Sequence, residues 1–503
     1  MLNKRGKILV VIACLILTFL LVYLPHINYP YPLHADEYLH LSQTKSIVLE
    51  GYGLITLAKS PYMLYKFAYD LLLTPLYFMQ NATGLSVLIS SSFLPAIFAV
   101  FASLFLFLLV YKLTGKFWLG IFAMLFFASL PSNVNLRGLW FATPFELTIP
   151  LTYLFFIFFT KSLENYSKKT IIISTLIVFL IAFIHASSVL LLFPVLLIYF
   201  LINYKNIKKK PFYLMIFLPY ALFLLIGIYL LLPYYINNTF NYILSKIIYS
   251  TEPILQPNLI DNPITYNFLG LKIIASQYFL PLLYGIIPFL LALFGIYYNL
   301  KESKLRIFLI WFLTMIFLIF IYSISGFSLL ARRQYIIYYG LLALPIFSAL
   351  GLEKFIEFLD NKLESIKKNS RKLFILALII LIFIAIFYNY GNQRQGTELY
   401  HLIDTNDYQA LNFLKTQEPG LVLAPLNPAV AVYILSNKQV YAQFHPADEI
   451  KNAEVKSFYN SNCEEQLKFI QNKSIKYVYS NSEINCNFLK EIYSKNKYIY
   501  SIS

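Results

Sequence analysis

The chain has 503 residues, of which 59% are hydrophobic and only 13% charged, with a formal net charge of +16. A soluble domain carries about 25% charged residues, so a chain this apolar cannot cover itself with polar surface and takes lipid as its solvent. The positive charge would suit nucleic acid in a soluble protein. Here Lys and Arg cluster between apolar runs, which assigns them to membrane topology and leaves no nucleic-acid partner.

A spanning helix needs about 17 to 25 mostly apolar residues. Eleven runs meet or approach that length: 7–24, 86–111, 117–131, 144–160, 170–185, 187–203, 211–233, 278–299, 305–324, 335–352 and 373–389. The first is followed by Pro25-His26-Ile27-Asn28 rather than by small residues, so it reads as a retained span and not a cleaved signal peptide. With the N-terminus inside, the inner segments hold Lys4, Arg5 and Lys7; Lys112 and Lys116; Lys161, Lys168 and Lys169; Lys205 and Lys208 to Lys210; Lys301, Lys304 and Arg306; and Lys354, Lys362, Lys367, Lys368, Arg371 and Lys372. Every inner loop is basic, as the positive-inside rule requires. Eleven spans then place the end of the chain outside the cell, as expected of a multi-pass plasma-membrane protein with a cytoplasmic N-terminus.

The outer segments are 25–85, 132–143, 234–277 and 325–334, followed by the tail. The tail changes character: it is polar and alternates short strands with helices. Residues 421–424, 439–442 and 477–479 read as strands, and 406–416, 463–472 and 485–495 as helices. The expected architecture is an α-helical polytopic membrane domain over 1–389 and a small extracytoplasmic α/β soluble domain over 390–503. Cys14 lies in the first run, whereas Cys463 and Cys486 lie in the tail and could pair in an oxidising compartment. Sequons at Asn81, Asn237 and Asn472 fall in outer segments, a pattern that also arises by chance.

The first outer loop opens with His34-Ala35-Asp36-Glu37-Tyr38-Leu39-His40. Adjacent carboxylates at a membrane surface are costly unless solvated, paired or bound to a cation. A carboxylate can take the proton of an attacking acceptor or hold a metal that neutralises a departing phosphate. It can also cap the helix that follows. In the second outer loop, Arg137 precedes Pro144-Phe145-Glu146; a helix-end ion pair and a functional role are equal readings of Arg137 and Glu146. In the fourth, Arg332-Arg333-Gln334-Tyr335 opens an apolar span containing Pro345. Arginine offers phosphate a planar fork of donors and keeps its charge, although it also snorkels to lipid headgroups. His185 falls at an outer turn, where it either touches substrate or serves the fold. Glu252 and Asp261 lie in the third outer loop as distant ligand candidates.

Asp36-Glu37-Tyr38-Leu39-His40, followed by Glu50-Gly51-Tyr52-Gly53, resembles the first outer loop of the GT-C superfamily, membrane glycosyltransferases that use polyprenyl-linked sugars. The acidic pair is similar to that of protein O-mannosyltransferases. The run from Asp36 to Gly51 is similar to the oligosaccharyltransferase catalytic subunit. The resemblance implies a GT-C-like fold of about eleven spans and an inverting transferase acting at the outer face, with a polyprenyl (dolichyl-type) phosphate sugar as donor. It gives Asp36 the active-site role; with the residue reading above, Asp36 and Glu37 are the catalytic candidates and His40, Arg137, Glu146, His185, Arg332, Arg333 and Tyr335 the substrate-binding candidates. Asp36 and Glu146 are the candidate ligands of a divalent ion, Mg or Mn. The second loop of oligosaccharyltransferases ends in two acids separated by one residue; here Glu146 matches the second and Pro144 stands in place of the first, which puts the metal in question. The tail lacks the Trp-Trp-Asp signature of sequon-directed transfer. The partners implied are the lipid bilayer, the lipid-linked sugar and an acceptor that is protein, lipid or glycan. Two other readings stay open, a flippase for a lipid-linked sugar and a non-catalytic assembly protein that kept the GT-C shell.

Overall fold

The computed structural model describes residues 3–50, 67–132, 138–165, 167–203, 213–222, 225, 264–268, 271–275, 283–300, 302–325, 328, 330–364, 368–393, 400–442 and 449–502. Gly51 to Gly53, Arg137, Asn237, Glu252, Asp261 and much of the run 211–233 lie outside these residues. The chain divides into two compact units. The first comprises Met1–Ile27, Ala58–Ala68 and Phe93–Gln395, and the second Asn28–Leu57, Tyr69–Ser92 and Gly396–Ser503.

In chain order the helices of the first 400 residues are α1 (Lys4–Tyr23), α2 (Ala35–Glu50), α3 (Phe67–Thr83), α4 (Val87–Ser91), α5 (Leu94–Thr114), α6 (Phe117–Ala128), α7 (Pro144–Asn165), α8 (Lys168–Ile184), α9 (Ala186–Asn203), α10 (Ile286–Asn299), α11 (Arg306–Ser325), α12 (Arg333–Lys362) and α13 (Lys368–Gln393). A short hairpin, β1 (Ile264–Phe268) with β2 (Leu271–Ala275), precedes α10. Seven helical stretches among the described residues are long and apolar enough to cross a membrane: Lys4–His26, Val87–Thr114, Pro144–Glu164, Ala186–Asn203, Arg306–Ile324, Arg333–Lys362 and Asn369–Phe387. Helices α6, α8 and α10 occupy three more of the apolar runs. At 12 residues, α6 rises only about 18 Å, short of a bilayer's hydrocarbon core.

Helix α12 is the hub of the first unit. Every residue from Tyr335 to Leu352 is buried, as expected for a helix apolar on all sides. Its neighbour α10 approaches it through two glycines. A Cβ at Gly351 would fall 1.8 Å from the Leu291 carbonyl oxygen, and one at Gly295 would fall 2.0 Å from that of Phe347. Small residues let helix backbones meet this closely where lipid offers no hydrophobic drive between helices. Hydroxyls add the rest: Ser348 lies 2.8 Å from the Pro288 carbonyl, and Tyr153 donates to the Leu342 carbonyl at 2.8 Å. Helix α13 is the opposite case, exposing Leu373, Phe374, Leu376, Ile380, Leu381 and Ile384, a surface suited to lipid.

The basic segments meet at one end of this unit. Lys116 pairs with Glu353 at 2.9 Å, Lys304 with Glu164 at 3.1 Å, and Arg306 donates to Asn203 at 3.0 Å. Three of the basic residues that the charge pattern assigns to a common side thus bond to the ends of neighbouring helices.

The second unit joins the first-loop helices α2, α3 and α4 to the tail. The tail holds α14 (Thr405–Leu414), β3 (Leu421–Leu423), α15 (Leu426–Ser436), α16 (Glu449–Asn460), α17 (Cys463–Lys473), β4 (Ile475–Ser480), β5 (Leu489–Ser494) and β6 (Tyr498–Ile502). The sheet order is β3-β4-β6-β5, with β3 parallel to β4 and the other pairs antiparallel. Its core gathers Leu423, Val455, Phe458, Ile470, Val478 and Tyr500. Cys463 and Cys486 form a disulfide with their Cα atoms 5.6 Å apart. The expected helix over 485–495 is instead the edge strand β5. Asn496, in the left-handed region at φ 60°, turns the chain into a hairpin with β6, and that pairing overrides the local pattern. Residues 439–442 make one parallel bridge, Val440 to Val422, rather than a full strand.

Candidate active site

In the second unit, His34 precedes the first turn of α2 and Glu37 is its third residue. Glu37 Oε2 accepts the backbone N–H groups of Leu33 at 2.9 Å and His34 at 2.7 Å. This is the reach-back half of a capping box, and Glu37 is 2% exposed. Asp36 stands beside it with a third of its side chain exposed. The imidazole Nδ1 of His34 is 3.8 Å from an Asp36 carboxylate oxygen. That nitrogen already accepts the Asp36 backbone N–H at 3.0 Å, so it carries no proton for the carboxylate and the contact is not an ion pair.

One turn on, His40 is fully buried, and its Nδ1 lies 2.6 Å from Oδ1 of Asp70, itself 4% exposed. An ionised carboxylate only accepts, so Nδ1 holds the shared proton. Two hydroxyls fix α2 against α3. Thr44 Oγ1 lies 2.8 Å from the His40 carbonyl and 3.1 Å from that of Asp70, and Tyr77 donates to the Leu41 carbonyl at 2.6 Å. The Tyr69 ring meets the imidazole edge-on with centroids 5.0 Å apart. Further along α2, Lys45 Nζ donates to the carbonyls of Tyr433 and Ile434, each at 2.6 Å, at the C-terminal end of α15. Burial pushes the Lys45 amine down to about 7, with a smaller contribution from Lys415; the negative end of α15 acts in the opposite sense.

In the first unit, Pro144 opens α7 at the first helical position, where its missing N–H costs nothing. Glu146 is the third residue, 2% exposed, and its Oε2 accepts the Thr143 N–H at 3.2 Å as well as the Thr143 hydroxyl. Glu146 therefore occupies the same reach-back position as Glu37. Phe145 stands between the two other candidates of this unit. Its ring centroid is 4.7 Å from that of Tyr335 and 5.7 Å from that of His185, which in turn lie 4.9 Å apart. His185 Nδ1 is 2.8 Å from Ser188 Oγ, which is 2.8 Å from Thr148 Oγ1; the Thr152 hydroxyl meets that of Tyr339 at 2.8 Å. Arg332 is exposed at the N-cap of α12, and Arg333 donates to the Tyr322 hydroxyl at 3.0 Å and lies over its ring.

The structure thus brings His185 and Tyr335 together against Phe145, the chain neighbour of Glu146, in one unit, and carries Asp36, Glu37 and His40 on α2 in the other. Asp70, Lys45 and the Ser188–Thr148 hydroxyl pair are additions that the sequence reading did not make. A lone acid opening an apolar run, as in Tyr69-Asp70-Leu71-Leu72-Leu73, was the available signal. Among the described residues, no three His, Cys, Asp or Glu side chains gather to hold a metal ion.

A crystal structure of the Archaeoglobus fulgidus oligosaccharyltransferase in the apo form superposes on 95% of this chain, and 70% of its own, with a TM-score of 0.61 at 14% identity. The chain has the oligosaccharyltransferase fold. The oligosaccharyltransferase AglB of the same archaeon, in complex with an inhibitory peptide and a dolichol-phosphate, matches 95% of the chain and 69% of its own with a TM-score of 0.59 at 13% identity. The same enzyme tethered to an acceptor peptide containing an NVT sequon gives the same coverage, a TM-score of 0.56 and 13% identity. No family model matches the sequence, and no curated protein resembles it beyond chance. The expected GT-C-like fold is therefore found over nearly the whole chain, in a helical membrane protein ending in a small mixed sheet.

Proposed function

We propose that this protein is a GT-C glycosyltransferase of about eleven spans that takes a sugar from a polyprenyl phosphate at the outer face of the membrane. In this reading the N-terminus is cytoplasmic and the region 390–503 lies outside. The observation that carries the reading is Asp36, a partly exposed carboxylate on the first turn of α2, in a chain with the fold of an enzyme captured with dolichol-phosphate. Arg332, exposed at the N-cap of α12 in the first unit, has the donor chemistry that a phosphate takes. The acceptor's nucleophilic atom attacks the anomeric carbon and gives its proton to Asp36. The bond from that carbon to the phosphate oxygen breaks, and its electron pair leaves on the polyprenyl phosphate, inverting the centre. His185 and Tyr335 line the acceptor or sugar side. Glu37 and Glu146 hold their helix starts in shape rather than moving protons. Where a divalent ion takes part, the oxygen donor suited to Mg or Mn is Asp36 in the second unit and Glu146 in the first, and the ion would neutralise the departing phosphate.

The test uses the purified full chain in detergent with synthetic polyprenyl-phosphate sugars, peptide, lipid and glycan acceptors in parallel, and release of free polyprenyl phosphate as readout. Asp36→Asn is expected to lower release at least about a hundredfold with the fold intact, and chelator added to the wild type reports on the metal. Full activity in Asp36→Asn would remove the mechanism. Pro144 at the place of the first acid favours a second reading, a non-catalytic shell, for which Asp36→Asn and Glu146→Gln would both be silent in a wild type that itself releases nothing.

A further inference from the structure

The last two turns of α7, in the first unit, carry an unbalanced cluster of charge. Ile157, Thr160, Lys161 and Glu164 recur at three- and four-residue spacing and so share one side of the helix. Lys112, in the last turn of α5, donates from Nζ to the Ile157 carbonyl at 2.7 Å and lies 3.4 Å from Thr160 Oγ1. Lys304, two residues ahead of α11, pairs with Glu164 at 3.1 Å. Lys161 and Lys304 act on the Lys112 ammonium as like charges, and Glu164 as the single opposite one. Three ammonium groups therefore share one carboxylate. A lysine that only snorkels would spread away from its like into water. Lys112 is instead held half-buried by two neutral oxygens, where repulsion between like charges is relieved by an anion.

An apolar stripe leads to this cluster. Phe101, Phe105 and Leu108 precede Lys112 on α5 at intervals of four, three and four residues, which places all four on one side of the helix. Phe101 and Leu108 are exposed, and the rings of Phe101 and Phe105 lie 6.3 Å apart. From Phe101 to Lys112 the helix rises about 16 Å, close to the hydrocarbon depth of one leaflet, about 15 Å. Helix α5 is also long and apolar enough to cross a bilayer.

We propose that the meeting of α5, α7 and the start of α11 is a binding site for an anionic phospholipid. Lys112, Lys161 and Lys304 take the phosphate diester, and an acyl chain lies along Phe101, Phe105 and Leu108. Glu164 keeps Lys304 in place and leaves the site two positive charges in excess, a charge that fits an anionic headgroup and not a zwitterionic one. This does not depend on the transferase reading, since none of these residues belongs to the candidate active site.

The experiment compares wild type, the pair Lys112→Gln with Lys161→Gln, Lys161→Gln alone, and a control pair, Lys354→Gln with Lys372→Gln, which removes the same charge from α12 and α13. Each full chain, purified in neutral detergent, is titrated with phosphatidylglycerol, phosphatidylcholine or glycerol phosphate. Native mass spectrometry reads retained lipid, and a thermal melt reads the shift in midpoint. Wild type is expected to retain phosphatidylglycerol in preference to phosphatidylcholine. Affinity should fall at least about tenfold in the Lys112–Lys161 variant and about fivefold in Lys161→Gln, with the control pair like wild type. Equal weakening in the control pair would overturn the site, because it would show only diffuse attraction to a basic surface. Equal retention of phosphatidylcholine would overturn the anionic headgroup. A midpoint shift from glycerol phosphate as large as from phosphatidylglycerol would overturn the lipid and leave a phosphate site. Should the double variant fail to fold, Lys161→Gln carries the test, since that exposed side chain makes no hydrogen bond or ion pair among the described residues; wild-type affinity in it would overturn the proposal.

Discussion

Inside the first unit, many buried polar side chains meet as hydroxyl pairs or reach backbone carbonyls, such as Thr148 with Ser188, Thr152 with Tyr339 and Tyr153 with the Leu342 carbonyl, and buried His185 meets a hydroxyl too. Inside the second, titratable groups are buried together or against carbonyls: His40 with Asp70, and Lys45 with the end of α15. The contrast follows the solvent. Between lipid-facing helices a charge is expensive, and uncharged hydroxyls satisfy polar atoms without it. A unit made of a loop and a tail can keep charges, provided each has a partner. The two glutamates at helix starts, Glu37 and Glu146, are common to both units, because a reach-back cap depends on three residues of sequence and not on the surroundings.

Four perturbations probe that contrast. The largest effect is expected at the α10–α12 crossing. Gly351→Leu would drive a side chain into the Leu291 carbonyl, and a collision with backbone should cost at least about 4 kcal/mol, seen as loss of folded protein on size-exclusion chromatography. Gly340→Ala, whose new methyl would lie 3.1 Å from Met315 Cβ, serves as the tolerated control. Next comes chemistry: Asp36→Asn should lose at least about a hundredfold in release, while Glu146→Gln, whose amide oxygen can still accept the Thr143 N–H, should stay within about tenfold. An equal loss in both would mean that Glu146 belongs with the reacting groups and that the likeness between the helix starts is superficial. Third, replacing Cys463 and Cys486 with serine should cost about 3 kcal/mol of the second unit's stability and leave the first unit's unfolding transition in place. The smallest effect concerns Lys45. Its amine sits near 7 in the folded protein and near 10.5 unfolded. The unfolded chain therefore binds more protons between those values, and stability should rise with pH across that window. Melts from pH 7 to 9 should show a shallower rise in Lys45→Met than in wild type.

Much of this organisation was legible in the sequence because it is local. The apolar runs mark the helices, the clustered lysines and arginines mark the segments between them, and Thr143-Pro144-Phe145-Glu146 spells a helix start four residues long. His185 and Tyr335 both read as residues of outer turns, but nothing in the sequence announces that their rings meet against Phe145. What escaped was long-range. Asp70 lies 30 residues from the histidine that gives it meaning, and Lys45 binds carbonyls 388 and 389 residues away. Strand β5 reads as helix until β6 is present to pair with it. Nothing in the spacing of the first outer loop announces that it folds with the tail.

That last union sets an order of events during synthesis. The carbonyls that Lys45 binds are made 388 or more residues after it, which at about 5 to 20 residues per second is roughly 20 to 80 seconds. Helix α2, with Asp36 at its start, must wait in an incomplete setting while α5 to α13 are synthesised. Its surroundings close only when the tail arrives. A chain that stalls or is cut before residue 396 would carry the acidic loop without the partner that completes it, so assembly of the candidate site doubles as a check that the whole membrane domain has been made.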